Sequence, residues 1–84
     1  MAKEKLIGKI THYFSKIGVA VIALSNTLKV GDTIHIKSGE GFNQEVTSMQ
    51  VEHAQVETAS PGQSVGLKVD QKVHVGNEVF LVIE

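Results

Sequence analysis

Three sets of residues in this chain of 84 have types that could do chemistry: four histidines, a Gly-Lys pair near the start, and the run His12-Tyr13-Phe14-Ser15-Lys16. The histidines stand at 12, 35, 53 and 74, and no two are two or four residues apart. Ligation of a metal from one strand or one helix needs such spacing, and the chain has no cysteine to complete a set. They read as surface or rim residues, and no metal or other cofactor is expected. "GKIT" (Gly8 to Thr11) lacks the Ser or Thr that must follow the lysine of a P-loop, and Lys3 occupies the place of its first glycine. It also opens a strand, not a helix, so backbone N–H groups cannot cradle a phosphate there. No nucleotide site is expected. Ser15 is on no nucleophile elbow and has no evident His–Asp partners, and Glu52-His53 and Glu57 read as surface residues. The expectation is that the chain is not an enzyme.

The run "HYFSK" has two readings. It holds two of the four aromatic residues. In one reading Tyr13 and Phe14 cap the end of a small β domain, and His12, Ser15 and Lys16 form a solvated turn. In the other, the aromatics form a platform with Lys9, His12 and Lys16 around it, holding a base by stacking and a phosphate by charge. Stacking contributes roughly 1–3 kcal/mol per base, enough for weak binding. Lys29, Lys37, Lys68 and Lys72 could form a second basic zone, although alternation with apolar neighbours also fits plain solvated sheet surface. Net charge is −1, and all eight basic residues are lysine. Without guanidinium forks, sequence-specific readout of nucleic acid is disfavoured, and a weak or partner-assisted contact with RNA backbone is the form left open.

These residues need elements to position them, and the pattern is that of a β domain. Strands are predicted at about 5–12, 17–24, 32–38, 44–52, 64–69 and 78–83, with a short one near 55–58. In "DTIHIKS", Ile34 and Ile36 face one way and His35 and Lys37 the other, the period of a half-buried strand. "KVGD" (Lys29 to Asp32) and "HVGN" (His74 to Asn77) repeat one turn device, and "SPGQ" (Ser60 to Gln63) places Pro and Gly for a type II turn. Residues 1–4 read as a tail and 5–84 as one domain. Six or seven short strands with such turns predict an all-β, closed antiparallel barrel of Greek-key-like form. The strip "VFLVI" near residue 80 is too apolar for a free face and could dock a partner protein, an alternative to any RNA contact. The longest apolar run, Ile17 to Leu24, is too short for a membrane helix, and a cytoplasmic location without membrane attachment is expected.

The order "GVAVIAL … LKVGDTIHI … VTSMQ … ASPGQSVGLKV … VGNEV" resembles the second domain of translational GTPases such as elongation factor Tu, from about Ile7 to Val82. A similar barrel closes the chains of collagenase-like peptidase relatives that modify RNA. The resemblance implies a translation-protein barrel acting as an accessory beside another domain. It also implies a tRNA contact through the aromatic-Ser pair before the "GVAV" strand, here Phe14-Ser15. His12 and Tyr13 stand where that pattern has acidic residues, Val19 to Ile22 are apolar where it is polar, and Asn26 replaces a glycine. The expected function is a non-catalytic module associated with translation, touching tRNA or other RNA weakly and helped by a partner.

Overall fold

The computed structural model describes residues 3–52 and 54–83, so His53 and the first two residues of the expected tail lie outside the described residues. Ten strands follow one another: β1 (Lys3–Phe14), β2 (Val19–Leu24), β3 (Leu28–Lys29), β4 (Thr33–Ile36), β5 (Phe42–Glu45), β6 (Met49–Val51), β7 (Ala54–Val56), β8 (Thr58–Ala59), β9 (Ser64–Lys68) and β10 (Glu78–Ile83). Lys3 and Glu4 belong to β1, opposite Ile83 and Val82, and not to a tail. The strand expected over 44–52 is two strands. Thr47 and Ser48 are both exposed between buried Val46 and Met49, so the alternation breaks and the chain turns.

The closed six- to seven-stranded barrel is corrected by the sheet topology. Eight strands form one antiparallel sheet in the order β5-β4-β10-β1-β2-β9-β6-β7, and β3 pairs with β8 in a separate two-stranded sheet. The large sheet curls as a half-barrel around Ile7, Ile10, Ile22, Leu28, Ile34, Met49 and Val65, all essentially without solvent exposure. Its ladder stops at β5 and β7. β3 leads into β4, and β8 follows β7 after Glu57, so their short pairing carries backbone bonding between the two ends of the sheet. Elsewhere a side chain substitutes for the missing ladder: buried Gln44 on β5 donates from Nε2 to the Lys68 carbonyl at 2.8 Å and accepts at Oε1 from the Asp70 N–H at 2.9 Å.

Three turns share one construction. Gly31, Gly62 and Gly76 have φ of 98°, 89° and 93°, as the third position of a type II turn requires. In each, the following side chain accepts from a backbone N–H three residues back: Asp32 from Lys29 at 2.9 Å, Gln63 from Ser60 at 2.8 Å, Asn77 from His74 at 2.7 Å. Among the described residues no helix is long and apolar enough to cross a membrane.

Candidate nucleic-acid interface

β1 carries an irregularity that decides which aromatic meets solvent. Ile10 pairs with Ile22, but His12 pairs with Val21, so Thr11 is an extra residue on the β1 side. Such a bulge shifts the alternation by one. Uninterrupted alternation from buried Ile10 would turn Phe14 inward and Tyr13 outward. Instead Tyr13 packs against the core, while Phe14 is 49% exposed on the outer face. The two aromatics therefore form neither a joint cap nor a joint platform. His12 takes the second place on the outer face: its ring lies nearly parallel to that of Phe14, centroids 6.3 Å apart and planes 6° apart.

A hairpin turn closes the end of this face. The N–H groups of Ile17 and Gly18 both donate to the Phe14 carbonyl, at 3.2 and 2.9 Å, which leaves Ser15, Lys16 and Ile17 in solvent. Ile17 is 63% exposed. Beyond the hairpin the outer face is a grid set by register. Phe14 stands opposite Val19, which stands opposite Lys68; His12 stands opposite Val21, then Gly66, then Gln50. Gly66 has no side chain, so the grid has a depression at its centre. This trough encloses about 310 Å³, with Phe14, Ile17, Val19 and Val21 on one side and Gln50, Glu52 and Ser64 on the other. Sequence reasoning missed Gly66, Gln50, Glu52 and Ser64, because only the strand order β2-β9-β6 brings them beside Phe14.

The lysines are distributed unevenly. Lys9 pairs with Ala23 on the β1 side of the same face, Lys16 is in the hairpin turn, and Lys68 ends β9 next to Val19. Lys29 is on β3, in the other sheet. Lys37 follows β4, with β10, β1 and β2 between it and β9, and its ammonium covers the Phe80 ring at 4.7 Å from the centroid. Sheet order thus places Lys68 with the "HYFSK" group and separates it from Lys29 and Lys37.

The apolar strip of β10 is mostly accounted for by packing. Val79 is buried, Leu81 packs on the core, and Phe80 lies outward beside Leu6 under Lys37. His35 is engaged by Asn43 across the β4–β5 pair and has Glu4 at 3.9 Å. Among the described residues no group of three or more His, Asp or Glu side chains is placed to hold a metal.

Comparison with known proteins gives a consistent fold. No protein-family model matches the chain. It is 40% identical over 80 residues to an uncharacterized protease of Methanocaldococcus jannaschii, covering 93% of this chain and 20% of that protein. The chain thus spans about a fifth of the length of the curated relative it matches. Two crystal structures of the C-terminal domain of a Geobacillus thermoleovorans protein assigned to the U32 peptidases superpose on it. One has a TM-score of 0.85 at 22% identity, covering 92% of this chain and 91% of that one. Its selenomethionine form gives 0.83 at 23%, covering 89% and 96%. Of the two likenesses expected from the sequence, these findings agree with the one to peptidase relatives.

Proposed function

We propose that this chain is a non-catalytic binding module that contacts tRNA or other RNA weakly through the outer face of the β1–β2 hairpin, beside a partner protein that supplies specificity. The observation that carries the reading is the pairing of half-exposed Phe14 with the parallel ring of His12, with Lys9, Lys16 and Lys68 disposed around it. Aromatic planes that meet solvent on a lysine-bearing face suit unpaired bases, which stack without regard to sequence, while ammonium groups attract the backbone. The accessory role agrees with the likeness to a C-terminal domain in one protein and to a fifth of the length of another. The elongation-factor resemblance and an association with translation belong to this proposal and add the expectation that Phe14-Ser15 is the contact.

Amide NMR titration with bulk tRNA, at low and at physiological salt, tests it. Shifts centred on residues 9–16 and on Lys68 that shrink with salt are expected. A spectrum unmoved at low salt overturns the RNA reading. A second reading, docking of a protein on the same face without RNA, is favoured by exposed Ile17 beside Phe14 and predicts association insensitive to salt.

A further inference from the structure

Each glycine but one has a structural reason to lack a side chain. Six have positive φ. At Gly8 a Cβ would come within 2.4 Å of the Ala23 carbonyl oxygen. Gly66 has neither reason: a Cβ there would meet only the Val19 Cγ1 atom, at an ordinary 3.6 Å. Glycine in the middle of a strand weakens it, and often marks a bend or a place where a ligand or another backbone comes close. What the missing side chain leaves is the trough floor.

The rim carries a carboxylate in an unusual conformation. Glu52, after β6, has φ of +52°, the one described residue other than glycine in the left-handed region. Positive φ is normally left to Gly, Asn or Asp, and Glu is a poor choice on conformational grounds. Residues held in this region cluster at active sites, ligand clamps and switch regions. Here it sets a carboxylate at the rim of a trough whose opposite wall is Phe14 and Val19.

We propose that the Gly66 trough is a pocket for a single unpaired base and that Glu52 makes it prefer guanine. The inference rests on the RNA reading above and names the group recognised. The volume of about 310 Å³ lies at the small end of ligand sites, which run from about 300 to 1,000 Å³. A base in it would lie with one side against Phe14, Val19 and Val21 and turn a polar edge toward Gln50, Glu52 and Ser64. An ionised carboxylate only accepts hydrogen bonds. The Watson–Crick edge of guanine presents two adjacent N–H donors, to which a carboxylate can bond in parallel, whereas adenine presents a donor beside an acceptor that would face the carboxylate unpaired. The base is taken from single-stranded RNA, and its phosphates remain with Lys16 and Lys68 outside the trough.

The test is amide NMR titration of the whole chain with guanosine, with adenosine, and with a short single-stranded adenosine oligonucleotide with and without one central guanosine. Guanosine should bind about tenfold more tightly than adenosine, the discrimination typical of a two-bond base contact, with shifts at Phe14, Val19, Val21, Glu52 and Gly66. Glu52→Gln should bring the two nucleosides within about twofold of each other. Gly66→Val should abolish the shifts from both. Should that variant lose its dispersed spectrum, Gly66→Ala tests the same floor with a Cβ that the structure accommodates. Preference for the guanosine-bearing oligonucleotide, beyond that of guanosine itself, places the base in RNA; equal response to both oligonucleotides overturns the RNA source. Equal affinity for guanosine and adenosine, or discrimination that survives Glu52→Gln, overturns the guanine pocket. If tRNA still shifts Lys9 and Lys16 in that case, the RNA module stands without the pocket. Guanosine binding in the trough with no response to tRNA supports the pocket and removes the module.

Discussion

The Thr11 hydroxyl donates to the Val21 carbonyl at 3.3 Å, across the point where β1 gains its extra residue. This bond gives the bulge a local hydrogen-bond partner, and the bulge sends Tyr13 and Phe14 to opposite faces. Stability and binding are thereby assigned to different aromatics. Tyr13→Ala is expected to remove about 2–3 kcal/mol of stability, because its ring packs on the core. Phe14→Ala should change stability by less than about 1 kcal/mol, since half the residue is already in water, and should weaken RNA binding. Urea unfolding of the two variants beside their tRNA titrations checks the split. Equal destabilisation by both would mean that Phe14 is a packing residue after all.

Gln44 makes a second prediction. It is a buried polar side chain, 8% exposed, and both ends of its amide are bonded to the backbone at and just past the end of β9. Gln44→Leu keeps the bulk and leaves the Lys68 carbonyl and the Asp70 N–H without that partner. The expected loss is about 2 kcal/mol, or roughly 8–16 °C in Tm for a domain of this size. Faster amide exchange at Asp70 than in the parent chain should accompany it. A variant melting within about 2 °C of the parent would show that water replaces the amide at no cost.

Glycines at three kinds of position should respond in three ways to the same change. Gly8→Ala drives a Cβ into the Ala23 carbonyl and should cost about 2–3 kcal/mol. Gly76→Ala meets no atom but sits at φ of 93°, so the cost should be about 1–2 kcal/mol. Gly66→Ala meets neither obstacle and should be neutral or stabilising by about 0.5 kcal/mol. Thermal melts of the three variants give the ranking, and marked destabilisation by Gly66→Ala would remove the reason to see its open floor as functional.

How far the sequence carried can be argued from these residues. Glycine before Asp or Asn at 31–32 and 76–77, and Pro61-Gly62, announced their turns because turn geometry depends on a few local φ values. The alternation of Ile34 and Ile36 against His35 likewise survives folding. The bulge at Thr11 left no such mark, since nothing in "KITHYF" distinguishes an extra residue from a regular one, and a slip of one reverses every face after it. The open edge at β5 was also hidden: its bridge depends on Gln44 meeting residues 68–70, a contact between distant parts of the chain. For the same reason the run around Phe14 could be marked as a candidate from sequence, whereas its meeting with Gly66 of β9 could not.

Glu52 allows the strain of the candidate site to be measured apart from its chemistry. A left-handed conformation costs a residue with a Cβ about 1–2 kcal/mol, and glycine recovers this but gives back about 0.5–1 kcal/mol through its freer unfolded chain. Glu52→Gly should therefore stabilise the domain by about 0.5–1 kcal/mol, while Glu52→Gln, which keeps the strain, should leave stability within about 0.5 kcal/mol of the parent. Both variants lose the carboxylate and both should lose guanosine preference. Urea midpoints and nucleoside titrations on the same samples separate the two effects. A stability gain in Glu52→Gly with guanosine preference intact would show that the strained turn has no part in binding. Loss of preference in both variants, with stability gained in only one, would show that the carboxylate discriminates the base and that its backbone conformation costs stability.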